Sequence, residues 1–411
     1  MQGIPYKRQG RWFQELLIAG LTFCAMLPYI AVSVIMPDIM QTFGADITTV
    51  ALAMTVQLVM SGLCMFIGSM VSDRIGAVKT AKVGITCLFL GALIQGIAPS
   101  IGIFIVGRAI AGLGQGLGTV NASPLVSSWF DGKERSYALT CNSMASMIAI
   151  ALTVAIIRPL SAALGGWQRA YLAYAVFTLV FVVLWMLFGR SNPELEAQAA
   201  RKQQMAAAMG KGPSSLSLAL KEPQCWKCMI FFGLFIIVDT ARATFMPTFM
   251  GSVGIPEGIL TTATSMLSLV GMVGSLLGGV LVAQIWCRKP IVLTGAIGYI
   301  IAGLLCTFVT APMPNALFVI LLGFFYNITI TANSMLMIEN AMGKNPMMIS
   351  GGVAMMSGVG MLLTIVVSPI FSGLMNSFGM AMAFRIFFLV MIIGVVAVIS
   401  EVETGRKPQA Q

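Results

Sequence analysis

Three observations predict an all-α membrane protein with twelve transmembrane helices in two parallel repeats of six. The 411 residues are 58% hydrophobic and only 9% charged, with a mean hydropathy of +0.93. A soluble domain carries about a quarter charged residues, so most of this surface faces lipid rather than water. Apolar runs near the roughly 20 residues needed to cross a bilayer recur twelve times. One long polar segment, Arg190 to Lys227, then divides those runs six and six.

In chain order, spans are expected near 13–36, 49–71, 78–98, 101–122, 136–163 and 168–188, which makes residues 1–189 a first six-helix half. The second half, 226–411, carries spans near 226–250, 258–284, 291–311, 315–338, 348–374 and 380–400. Between them lies a linker, 190–225, with its own local logic. Asn192 suits an N-cap, Pro193 the first helical position, and Glu194 and Glu196 the first turn, where the helix dipole favours anions. Gly210 and Gly212-Pro213 stop that pattern, so a surface helix followed by a flexible tether is expected.

The basic residues orient the chain. Of the 24 Lys and Arg, 19 fall at the termini, in alternate loops or in the linker, all on one side of the predicted spans. The opposite loops contribute only Arg169. Positive residues collect in the cytoplasm, so a multi-pass protein of the cell (inner) membrane is expected, with both termini cytoplasmic. The net charge of +10 is explained by those loops without a nucleic-acid partner. Met1–Arg11 is short and basic and the run after it lacks a small-residue cleavage site, so no cleavable signal is expected. The absence of histidine removes imidazole chemistry and His-ligated metal. The eight cysteines lie in spans or on the predicted cytoplasmic side, where disulfides are not expected. Cys225-Trp-Lys-Cys228 lacks the second ligand pair of a zinc site.

A shift of 210 residues superposes Met36-Pro37 on Met246-Pro247, Gly44 on Gly254, Gly68 on Gly278, Thr119 on Thr329 and Pro159 on Pro369. The matches fall at equivalent places in equivalent spans. They point to parallel repeats with a substrate site expected near the midplane between the halves. Glycines gather where helices should touch: Gly112, Gly114, Gly116 and Gly118 in the fourth span, Gly271, Gly274 and Gly278-Gly279 in the eighth, Gly351-Gly352, Gly358 and Gly360 in the eleventh.

After the second span, Ser69-Met-Val-Ser-Asp73-Arg74-Ile-Gly76 sets a carboxylate, a guanidinium and a turn glycine at a helix junction. Asp73 there can act as a latch, pairing with a cation or a helix N-terminus in one state and releasing it in another. This stretch resembles the G-x-L-x-D-R-x-G-R-K loop of the major facilitator superfamily, with Ser69 in place of the first glycine and Ala77-Val78 in place of the basic pair. The equivalent loop of the second half has Ala283 at the aspartate position and Trp286 at the glycine. Arg108-Ala-Ile-Ala-Gly112-Leu-Gly114 resembles the family's R-x-x-x-G-x-G pattern of helix 4. Asn192-Pro193-Glu194 and Glu403-Thr404-Gly405 resemble its paired P-E-T-x-G elements. The resemblance spans the chain and implies a secondary transporter working by alternating access, with helices 1, 4, 7 and 10 around a central cavity. It implies gating roles for Asp73, Arg74, Gly76 and Gly112. The drug exporters' G-x-x-x-G-P-x-x-G-G of helix 5 is absent: Val154-Ala-Ile-Ile-Arg158-Pro159-Leu-Ser-Ala162-Ala163 keeps only the proline, which weakens drug:proton antiport.

Ionisable groups inside spans are costly and are functional candidates. Arg108 sits about 10 Å into the fourth span at 1.5 Å per residue, and Arg158 is similarly shallow in the fifth. Asp239 and Arg242 are three residues apart in the seventh, on one face. Arg385, in the twelfth, is close enough to an interface to snorkel. Tyr29, Gln115, Tyr326 and Asn327 add neutral polar groups on the helices that the resemblance places around the cavity. Arg108, Arg158 and Arg242 outnumber Asp239, and a translocated anion would offset the surplus. Substrate binding is therefore expected at Arg108, Arg242, Asp239, Arg158, Tyr29, Gln115, Tyr326 and Asn327.

The expectation is a monomeric secondary transporter for a small organic anion, a carboxylate above all, by exchange or ion-coupled symport. Its partners would be that anion, a counter-substrate or proton, and the bilayer; no cofactor, metal or nucleic acid is expected. The alternatives are a proton-coupled exporter of neutral or cationic drugs, with Asp239 carrying the proton, and a non-transporting membrane sensor. No nucleophile–base pair or aspartate dyad suggests an enzyme.

Overall fold

A computed structural model describes residues 8–130, 132–190, 192, 214–285, 287–344 and 348–404. Among them the regular structure is helical throughout, and twelve helices are long and apolar enough to cross a membrane. The chain divides by packing into two units, Met1–Leu218 with Ile349–Gly351, and Ala219–Met348 with Gly352–Gln411.

The first unit contains α1 (Arg8–Val34), a short α2 (Met36–Phe43), α3 (Ile47–Ile75), α4 (Ala77–Ile97), α5 (Ile101–Trp129), α6 (Gly132–Leu164) and α7 (Trp167–Phe188). Its connections are tight because local chemistry ends and restarts each helix. Gly44, in the left-handed region, closes α2, and the Asp46 carboxylate caps α3 by accepting the Thr49 N–H. Gly76, at φ 92°, joins α3 to α4 in a conformation that residues with a Cβ rarely adopt. Ser100 caps α5. At one end of the unit, Phe43, Phe104, Trp167 and Tyr171 pack edge to face; at the other, Leu17, Leu125, Trp129 and Trp185 share a second core.

The helix α5 is gripped by α4 on one side and α3 on the other. A Cβ on Gly114 would lie 2.6 Å from the Gly84 carbonyl oxygen, and one on Gly112 would lie 2.4 Å from the Gln57 carbonyl oxygen. Backbone meets backbone in both seams, which only glycine permits.

A six-residue helix, α8 (Ser215–Leu220), begins in the first unit. The surface helix expected over the preceding linker lies outside the described residues, as do Trp286 and Gly405. The second unit holds α9 (Pro223–Ser252), α10 (Glu257–Gln284), α11 (Lys289–Phe308) and α12 (Pro312–Lys344). The eleventh span runs from α13 (Ile349–Val353) through a π-helical turn (Ala354–Gly358) into α14 (Val359–Phe378); α15 (Met380–Ile399) is the last. Phe249, Phe371, Phe384 and Phe388 form its aromatic core.

Candidate functional site

In the first unit the chemistry centres on Arg108, which α5 carries fully buried. Its Nη1 donates to the Pro28 carbonyl at 3.0 Å and its Nε to the Ala53 carbonyl at 3.4 Å. Pro28 interrupts the interior of α1, and its carbonyl takes a second donor, the Tyr171 hydroxyl, at 2.9 Å. The half-buried Tyr29 ring lies 5.6 Å from the Arg108 guanidinium carbon, within cation–π range. Arg108 Nη2 is buried without a hydrogen-bond partner, and Arg108 has no ion pair among the described residues. A full positive charge is thus met only by neutral oxygens and a ring face. About two turns along α5, buried Gln115 accepts a hydrogen bond from Gln57 Nε2 at 3.0 Å, while Gln57 Oε1 has no partner.

In the second unit, Arg242 and Asp239 form the ion pair that their spacing on α9 suggests, Nε to Oδ1 at 2.7 Å. The Tyr299 hydroxyl of α11 donates to the same oxygen at 3.1 Å. Phe235 stacks nearly parallel to the Tyr326 ring at 5.1 Å between centroids, and Tyr299 packs on both. Asn327 turns its amide nitrogen to the Gly323 carbonyl of its own helix at 2.9 Å.

Two arginines stand apart from this picture. Arg158 is exposed at the surface of its unit and donates to the Val34 carbonyl at the end of α1. It is not a buried cation, and the surplus counted from the sequence falls to one, Arg108. Arg385 donates to Thr307 and lies over the Phe308 ring at 3.8 Å, which holds it at the end of α11.

At the other end of the first unit, Asp73 Oδ2 accepts the backbone N–H of Ser215 at 2.7 Å, at the start of α8. The Ser215 hydroxyl is shared with Ser69 at 2.9 Å and Ser350 at 3.0 Å, all three buried. Arg74 is exposed in the last turn of α3, and Gly76 follows it in the turn into α4. Gly112 sits in the α3–α5 seam, away from this cluster in sequence.

Sequence reasoning passed over three acids, Glu15, Glu339 and Glu401, and singled out a fourth, Glu403, only through its resemblance to a family element. Glu15 is buried in α1 with neither carboxylate oxygen bonded, and an acid six residues into an apolar run was the signal for it. Glu339 of α12 receives both nitrogens of the Arg288 fork, at 3.2 and 3.1 Å. Glu403 accepts the backbone N–H groups of Arg288 and Lys289, and Glu401 is buried two residues before it. These last three come together from segments over sixty residues apart, which no local pattern announces.

Comparison with known proteins matches residues 18–364 to the family model described as the Major Facilitator Superfamily. An uncharacterized protein of Campylobacter jejuni, Cj0987c, is 24% identical over 43% of this chain, which spans about half of that relative's length (51%). The "Probable sulfoacetate transporter SauU" of Cupriavidus necator is 22% identical over 74% of each chain. A chloroplastic ascorbate transporter of Arabidopsis thaliana is 22% identical over 46% of this chain and 37% of its own. Among solved structures, the Escherichia coli fucose:proton symporter FucP superposes with a TM-score of 0.77 at 14% identity, covering 95% of this chain and 98% of that one. The proton:xylose symporter XylE gives a TM-score of 0.75 at 14% identity, covering 97% and 98%.

Proposed function

The chain belongs to the major facilitator superfamily, and from that premise we propose that it is a secondary transporter of the cell membrane for a small organic anion bearing a carboxylate or related oxyanion group. The observation that carries this reading is Arg108, a fully buried guanidinium whose Nη2 has no partner. Burying an uncompensated charge is costly, and an anion arriving at Nη2 would relieve that cost. Such a ligand has a differential affinity for the state that offers it the guanidinium, which any ligand-driven change of state requires. The relatives named for sulfoacetate and ascorbate support the same class.

Export of cationic drugs against protons has less support. Asp239, the carboxylate that it would need free to carry a proton, is bonded to both Arg242 and Tyr299.

The test is counterflow by the purified full chain in proteoliposomes, using labelled sulfoacetate, ascorbate and a panel of short mono- and dicarboxylates. Arg108→Lys keeps the charge but loses the planar fork, and the KM for the best anion is expected to rise about ten- to a hundredfold. Equal transport of a neutral analogue, together with an unchanged KM in Arg108→Lys, would overturn the reading.

A further inference from the structure

The five residues after α15 form a strap across the ends of three helices of the second unit. Lys227 of α9 donates its Nζ to the Ser400 carbonyl, and Gln224 accepts the Val402 N–H at 3.4 Å. Lys289, the first residue of α11, donates its Nζ to the carbonyls of Ile399 and Glu401, each at 2.7 Å. The Glu403 carboxylate caps α11, taking the N–H groups of Arg288 at 2.7 Å and Lys289 at 3.0 Å. The Thr404 hydroxyl reaches Glu339 of α12 at 2.8 Å. The strap therefore ties α9, α11 and α12 together at one end of the unit.

Two acids sit in this strap and are treated in opposite ways. Glu403 is matched by two N–H donors at a helix N-terminus, where an ionised carboxylate is stabilised. Glu401 is 4% exposed, and neither of its oxygens has a hydrogen-bond partner by geometry. The groups facing it are Lys227 and the Cys228 thiol of α9, with Cys225 behind that thiol, and Lys289 of α11. Arg288, Glu339 and Glu403 complete the charged surroundings of the strap. The neighbouring lysines are directed elsewhere: both ammonium groups bind backbone carbonyls of the strap. Closing the strap thus encloses a carboxyl group whose charged form has only the neighbouring Cys228 thiol and two lysines committed to backbone carbonyls to support it.

We propose that Glu401 is a regulatory proton-binding site: the strap closes with a proton on the Glu401 carboxyl and loosens when that proton passes to water. Burial pushes this carboxyl from 4.5 up to about 7, against the opposing pull of the Cys228 thiol, Lys227 and Lys289. The sign follows from linkage. The closed form binds the proton more tightly than the open, solvated one, so the strap's hold is complete below about pH 4.5 and is lost as pH rises through about 7. Acidification of the compartment bathing this face tightens the ends of α9, α11 and α12, and alkalinisation frees them. The device is independent of what is transported.

Backbone hydrogen exchange of the full chain in lipid nanodiscs tests it. The observable is the protection of peptides covering 399–404, referenced in the same sample to a peptide from α4, so that the intrinsic pH dependence of exchange cancels. In the unmodified protein this ratio is expected to fall about tenfold between pH ~6 and ~8, as one proton linked at about pH 7 requires. Glu401→Gln removes the fall and Glu401→Asp, which keeps an acid, retains it. A ratio in the unmodified protein that does not change with pH would overturn the proposal whether or not the variants fold. So would a fall of the same size in a folded Glu401→Gln.

Discussion

Asp239 and Arg242 meet at 2.7 Å across one turn of α9, and the hydroxyl of Tyr299 donates to the same carboxylate oxygen from α11. The pair is mostly enclosed, so each member depends on the other to satisfy its charge. Asp239→Asn is expected to lower stability by about 3–5 kcal/mol, because it strands a guanidinium in an apolar setting. The double variant Asp239→Asn/Arg242→Met should recover much of that loss, read as thermal unfolding of the detergent-solubilised protein. A double variant as unstable as the single one would show that Asp239 does more than neutralise Arg242.

The second prediction concerns Asp73. Its carboxylate takes the Ser215 N–H at 2.7 Å and so holds the start of α8 against the end of α3. Asp73→Ala removes a charged hydrogen bond worth about 1.5–3 kcal/mol. Amide exchange over 215–218 should speed up about ten- to a hundredfold, and counterflow rate should change more than KM. Unchanged exchange in that segment would mean that the serine cluster holds α8 without Asp73.

A third prediction separates two glycines on one helix. Gly114→Ala places a methyl group 2.6 Å from the Gly84 carbonyl oxygen and 2.6 Å from the Leu88 nitrogen. Backbone cannot step aside as a side chain can, so a loss of about 1–3 kcal/mol or more is expected. Gly102→Ala meets nothing within 4 Å and should be neutral or stabilising by up to about 1 kcal/mol. Thermal unfolding of the two variants side by side measures the contrast.

The spans were legible because lipid demands long apolar runs and leaves few other ways to build a helix there. The Asp239–Arg242 pair was legible for a related reason, since three residues on one helix fix two side chains on one face. Burial was not. Arg158 and Arg108 look alike in sequence, each a lone arginine in an apolar run, yet one is exposed and the other enclosed. That difference is decided by neighbours from α1, α3 and α7, whose approach no local pattern encodes. The same holds for Arg288, Glu339 and Glu403, which tertiary packing brings together.

The glycine seams of α5 bear on how this protein can move. With α3 and α4 both packed on the glycines of α5, sliding any one of the three past its neighbours would bring residues that carry a Cβ against the carbonyls that now face glycine. The trio is in mechanical terms a single block, and Arg108 is a fixture bolted to it. Among the bonds that join α1 to its neighbours, those from Arg108 and Tyr171 to the Pro28 carbonyl can be remade without disturbing either seam. Motion in this half is therefore expected as a swing of α1 about its proline against a stationary charge, with the guanidinium serving as the bearing.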